Sequence, residues 1–130
     1  VTPEAQRYLE KAARCLDYAR RNLSVGLGND AARNAYLAAF HAAQALIFEC
    51  TGKVAKSHQG VHAEFHRLSR DEPAFDPESR RFLSQAYSLK AVADYELGPD
   101  AEIPPDRAAA ALDRARSVVD VVMKVLDAER

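Results

Sequence analysis

The chain has 130 residues, 48% hydrophobic and 28% charged, with formal net charge −1 and a mass of 14.3 kDa. That is one domain's worth of chain, residues 1–130, with enough apolar surface to outweigh the entropy of ordering it, so a folded and not a disordered chain is expected. No apolar run approaches bilayer length, so no membrane span is expected. With no leader-like opening, the expected location is the cytoplasm.

Thr2-Pro3-Glu4 reads as an N-cap, a first-turn proline and a first-turn acid. Leu9, Ala12, Leu16, Ala19 and Leu23 then alternate spacings of three and four, one stripe of an amphipathic helix ending near Asn22 or Leu23. Ser24 to Asn29 reads as a loop, and Asn29 or Asp30 as the cap of a second helix that stops at Gly52. This helix is apolar nearly all round and rich in alanine, the pattern of an element in the middle of a bundle. Its polar residues Arg33, Asn34, His41 and Gln44 fall within one narrow sector.

Ser57 caps a third, shorter helix to about Ser69, with Val61, Phe65 and Leu68 on its inner face. Asp76-Pro77-Glu78 repeats the cap, proline and acid pattern and opens a fourth helix. Its predicted core face is Phe82, Leu83, Ala86, Leu89, Ala93 and Leu97, and Gly98-Pro99 ends it. After a loop over 100–104, a last helix runs from about Pro105 to Ala128. No strand-like alternation appears. The expected fold is all-α, an antiparallel bundle of four long helices and one short one.

Chemistry is sparse. Cys15 and Cys50 form neither a disulfide framework nor a four-ligand zinc set. His58, His62 and His66 share helical spacing, but Glu64 is turned away from His62, so the zinc-protease pattern fails and no metal is expected. Charge is uneven: residues 53–90 hold 7 basic and 5 acidic side chains, residues 91–130 hold 5 and 9. Any anion-binding surface should therefore draw on the middle of the chain. Lys90 and Asp94 stand four apart on the fourth helix, with Tyr87 on the same flank. No nucleophile–base–acid triad and no phosphate-cradling glycine loop is present.

Three stretches carry a family resemblance. Ala32-Arg33-Asn34-Ala35-Tyr36-Leu37-Ala38-Ala39-Phe40-His41-Ala42-Ala43 resembles the second helix of small prokaryotic HEPN proteins, with Leu37 in place of a second aromatic. Lys56-Ser57-His58-Gln59-Gly60 is similar to the family's Lys-Thr/Ser-His-x-Gly, and Lys90-Ala91-Val92-Ala93-Asp94-Tyr95 to its Arg-x-x-Ala-Asp-Tyr. The resemblance implies a helical bundle that forms homodimers and works beside a minimal nucleotidyltransferase in toxin–antitoxin-like systems. Many relatives are metal-independent ribonucleases whose signature is Arg, a polar residue and then His. Here Lys90, Ala91 and Asp94 stand in those places, and Asp94 offers no imidazole. What it implies for this chain is binding of nucleotide or RNA phosphate, needing no cofactor, rather than robust cleavage. Arg33, Lys56 and Lys90 would contact phosphate, Asp94 would orient Lys90 or a ligand hydroxyl, and Tyr95 would stack on a base. His41 and His58 would donate hydrogen bonds, or exchange protons if the protein is an enzyme. The alternatives are a ribonuclease toxin using one of those two histidines and a purely structural partner-binding module.

Overall fold

A computed structural model describes residues 1–98 and 102–128. It contains five α-helices: α1 (Pro3–Ser24), α2 (Gly28–Thr51), α3 (His58–Arg70), α4 (Pro77–Tyr95) and α5 (Pro105–Ala128). The described residues include no strand. The caps expected of Thr2, Ser57 and Asp76 form, each side chain accepting the backbone N–H three residues on. Gly52 closes α2 in the left-handed conformation, φ 71°.

α2 is the hub and packs against all four other helices. Ala31, Ala32, Ala35, Ala38, Ala39, Ala42, Ala43 and Ala45 are buried along it, so neighbouring backbones approach closely on every side. Around it lie Leu9 of α1, Val61 and Phe65 of α3, Leu83 of α4 and Val119, Val122 and Leu126 of α5.

Two boundaries differ from expectation. The α1–α2 connection is only residues 25–27, and Leu27, not Asn29 or Asp30, takes the N-cap position, without a side-chain bond. Asn29 has another use: its Oδ1 accepts the Ile103 N–H at 2.8 Å, tying the segment before α5 across the start of α2. At the other boundary α4 ends at Tyr95, because Glu96 turns extended. Leu97, expected on the core face, is therefore 94% exposed. Pro99 and Asp100 lie outside the described residues.

The crossing over α2 requires Gly28. A Cβ there would sit 2.5 Å from the Ile103 carbonyl oxygen, a backbone atom with little room to yield. Gly28→Ala is expected to cost about 1–3 kcal/mol as overpacking. Urea unfolding would check this, and an unchanged midpoint would contradict the close approach.

Candidate functional site

The antiparallel packing of α2 on α4 brings together side chains far apart in sequence. Arg33 lies in the second turn of α2, beside the buried Ala32 and Tyr36. Its Nε donates to Asp94 Oδ1 at 2.6 Å, and its Nη1 donates to Asp30 Oδ1 at 2.5 Å. Lys90 donates to the second Asp94 oxygen. One carboxylate thus receives a different cation on each oxygen. The Lys90 and Asp94 side chains are 16% and 17% exposed, and that of Arg33 33%, so the i, i+4 pair is part of a largely covered cluster joining two helices. Burial alone would raise the Asp94 carboxyl, but the bonds from Lys90 and Arg33 outweigh it and hold it below the ordinary carboxylate range. The Arg33 guanidinium is correspondingly raised, first by its bond to Asp94.

One turn further along α2 lies a second cluster. The Tyr36 hydroxyl lies 2.6 Å from His58 Nδ1 and 2.9 Å from His62 Nε2. A phenol has one proton, so when both imidazoles are neutral Tyr36 donates to one ring and accepts an N–H from the other, and their tautomers are linked. His58 lies between Tyr87, against which it stacks at 4.8 Å between centroids, and Phe40 at 5.1 Å. Tyr87 also approaches Tyr36 at 5.4 Å. Burial pushes the Tyr36 phenol well up, and it pushes the His62 imidazole down, with the neighbouring His58 adding to the effect.

The expected site residues therefore separate. Arg33, Lys90 and Asp94 form one cluster between α2 and α4, and His58 belongs to the neighbouring Tyr36 cluster one turn along. Lys56 is exposed on the connection two residues before His58. Tyr95, the last residue of α4, is 77% exposed beside Asp94.

His41 stands apart. Its Nδ1 donates to Gln44 Oε1 at 2.8 Å, while Gln44 Nε2 donates to the Ala55 carbonyl oxygen, also at 2.8 Å. That chain fixes the α2–α3 connection. Burial keeps the His41 imidazole below its ordinary value, the Gln44 bond opposes this, and the charge of Lys11 adds to the lowering. The predicted polar stripe of α2 is likewise divided, since Asn34 bonds Asn22 of α1.

Tyr36, His62 and Tyr87 are the additions. Tyr36 reads as plain core in the sequence, and His62 as one of three histidines at helical spacing with no metal expected. In the fold His62 and His58 meet at Tyr36, whereas His66 is exposed. No group of three or more metal-ligating side chains forms among the described residues. The signal available in sequence is spacing: Arg33 and Tyr36 are three apart on α2, and Tyr87 and Lys90 three apart on α4, matching rungs of an antiparallel pair.

Comparison with known proteins accords with the five-helix fold. A family model described as HEPN domain matches residues 5–126. The chain is similar to the crystal structure of TT1696 from Thermus thermophilus, with 26% identity and a TM-score of 0.71, over 95% of this chain and 98% of that one. A search of curated proteins finds no match.

Proposed function

From the premise that the chain belongs to the HEPN family, we propose that it binds the phosphate of a nucleotide or of RNA. It acts as a homodimer with a nucleotidyltransferase-type partner in a toxin–antitoxin-like system, and it cleaves RNA weakly or not at all. The observation that carries this reading is the pairing of Arg33 of α2 with Lys90 of α4 at one carboxylate, one turn from the cluster of Tyr36, His58 and His62. Phosphate recognition needs fixed cations and hydrogen-bond donors, and both are here. Lys56 at the rim extends the positive surface, and the exposed Tyr95 ring is a stacking platform. Asp94 holds Lys90 in place and supplies no imidazole to a phosphodiester, so efficient cleavage by the 90–95 segment is not expected.

One observation favours a second reading, a ribonuclease centred on His58. Tyr36 links His58 to His62, which places a proton donor and a proton acceptor in one site.

Labelled short RNA in chelator, incubated with wild type, His41→Ala and His58→Ala, separates the two. The expected result is binding that weakens with salt and falls about tenfold in Arg33→Gln, with little cleavage. The same preparation should scatter light as a dimer, not as a 14.3 kDa monomer. Efficient cleavage abolished in His58→Ala would move the protein to the ribonuclease class. Absence of both binding and cleavage would leave a partner-binding module.

A further inference from the structure

We propose that the Asp94 carboxylate occupies the phosphate site built by Arg33 and Lys90, and that a ligand phosphate binds by displacing it. This rests on the proposed function and adds the regulation of that site.

The cluster is electrically closed. Arg33 and Lys90 face Asp94 and Asp30, two positive charges against two negative. A phosphate added with all four in place would meet no net attraction. A phosphate that replaces Asp94 would meet two cations already aimed at a pair of oxygens. Arg33 Nε bonds one carboxylate oxygen and Lys90 Nζ the other, and two oxygens of a phosphate present a similar fork.

Both cations stem from inner turns of their helices, whereas Asp94 stands at the end of α4. Arg33 springs from the buried hub helix, next to Ala32, Ala35 and Tyr36, and Lys90 follows the buried Leu89. Asp94 is the penultimate residue of α4, at the negative end of the helix dipole, where a carboxylate is disfavoured unless cations hold it. Beyond it the chain leaves the helix extended with Tyr95 and Leu97 exposed, while Val92 and Ala93 just before it pack against the core. A carboxylate at a helix end, shared by two cations from inner turns, can leave them without opening the core, which is what an internal competitor requires. A carboxylate that stayed between the two cations while phosphate bound would leave the end of α4 closed, so release of that turn is what separates displacement from a purely structural bridge.

Asp94→Asn removes the charge and keeps the shape. Titrated with inorganic phosphate at constant ionic strength, the variant is expected to bind at least about tenfold more tightly than wild type, since an opposing charge has left the site. Asp94→Asn combined with Arg33→Gln should lose the gain. In wild type, high phosphate matched against chloride should speed hydrogen exchange of the 92–96 amides as the turn is released. A natively helical Asp94→Asn with unchanged or weaker phosphate binding would overturn displacement. If that variant does not fold, the wild-type exchange decides: acceleration upholds displacement, and unchanged or slower exchange refutes it. Wild type that binds RNA through Arg33 and Lys90 without any gain in Asp94→Asn would sink displacement and leave the proposed function standing. Tighter phosphate binding in the variant, with no nucleotide or RNA binding by wild type, would do the reverse.

Discussion

Tyr36→Ala is expected to destabilise the protein by about 3–5 kcal/mol, the scale for truncating a large buried ring, and Tyr36→Phe by about 1–3 kcal/mol. The two variants separate the two roles of the residue. The ring is fully buried against Phe40 and Tyr87, so its loss opens a cavity where α2, α3 and α4 meet. The hydroxyl alone joins His58 to His62, and without it one ring loses a donor and the other an acceptor in a half-buried setting. Ring-nitrogen NMR would report this directly. Wild type should show complementary tautomers, one imidazole accepting through the nitrogen that faces Tyr36 and the other donating. Tyr36→Phe should release that linkage. A Tyr36→Phe protein as stable as wild type, with unchanged imidazole signals, would show that the bridge carries no weight.

Acidification is the second large effect. His41 and His62 are both lowered from the ordinary imidazole value of 6.5, chiefly by burial. The folded protein therefore holds them neutral at pH values where the unfolded chain has begun to protonate. Their contribution is complete above 6.5 and is lost as pH falls through their lowered values. Below that range the carboxylates continue the trend. Asp94 is depressed from 3.8, burial being outweighed by Lys90 and Arg33. Glu49 is depressed from 4.5 by accepting the Thr2 backbone N–H and hydroxyl, which tie the start of α1 to α2. Depressed acids stabilise above their unfolded values and cease to do so as pH falls through the folded ones. Thermal unfolding followed by circular dichroism should give a melting temperature that is level above neutrality and falls in two stages, through the imidazole and then the carboxylate range. A melting temperature that stays level or rises between neutral pH and 5 would contradict the assigned burial of His41 and His62.

Caps and periodicity made the helices legible. Thr2, Ser57 and Asp76 each precede a helix that sequence places within a residue or two, because an N-cap is a local bond between a side chain and the turn it starts. Tertiary contacts made the failures. Asn29 resembles a cap, but Ile103, 74 residues away, takes its oxygen. Leu97 continues the spacing of Ala93, yet α4 has already ended. The site divides in the same way. Lys90 and Asp94 are legible as an i, i+4 pair, and His58 and His62 as another. That Arg33 would reach Asp94 across 61 residues depends on the register of α2 against α4, which no local pattern encodes. Tyr36 was hidden for a related reason: a tyrosine on an apolar helix reads as packing until the two histidines that use its hydroxyl are placed beside it.

If the segments around Arg33, His58 and Lys90 form one phosphate-binding surface, a bound RNA perturbs all three together. The most direct test is a titration of the isotope-labelled wild-type protein with a short RNA in chelator, followed by NMR at low and high salt. The account predicts that Arg33, Tyr36, His58, His62, Lys90 and Asp94 shift together, with Tyr95 joining them, and that salt reverses the changes. Shifts confined to the α1 and α5 surfaces, or none at RNA concentrations well above that of the protein, would contradict it.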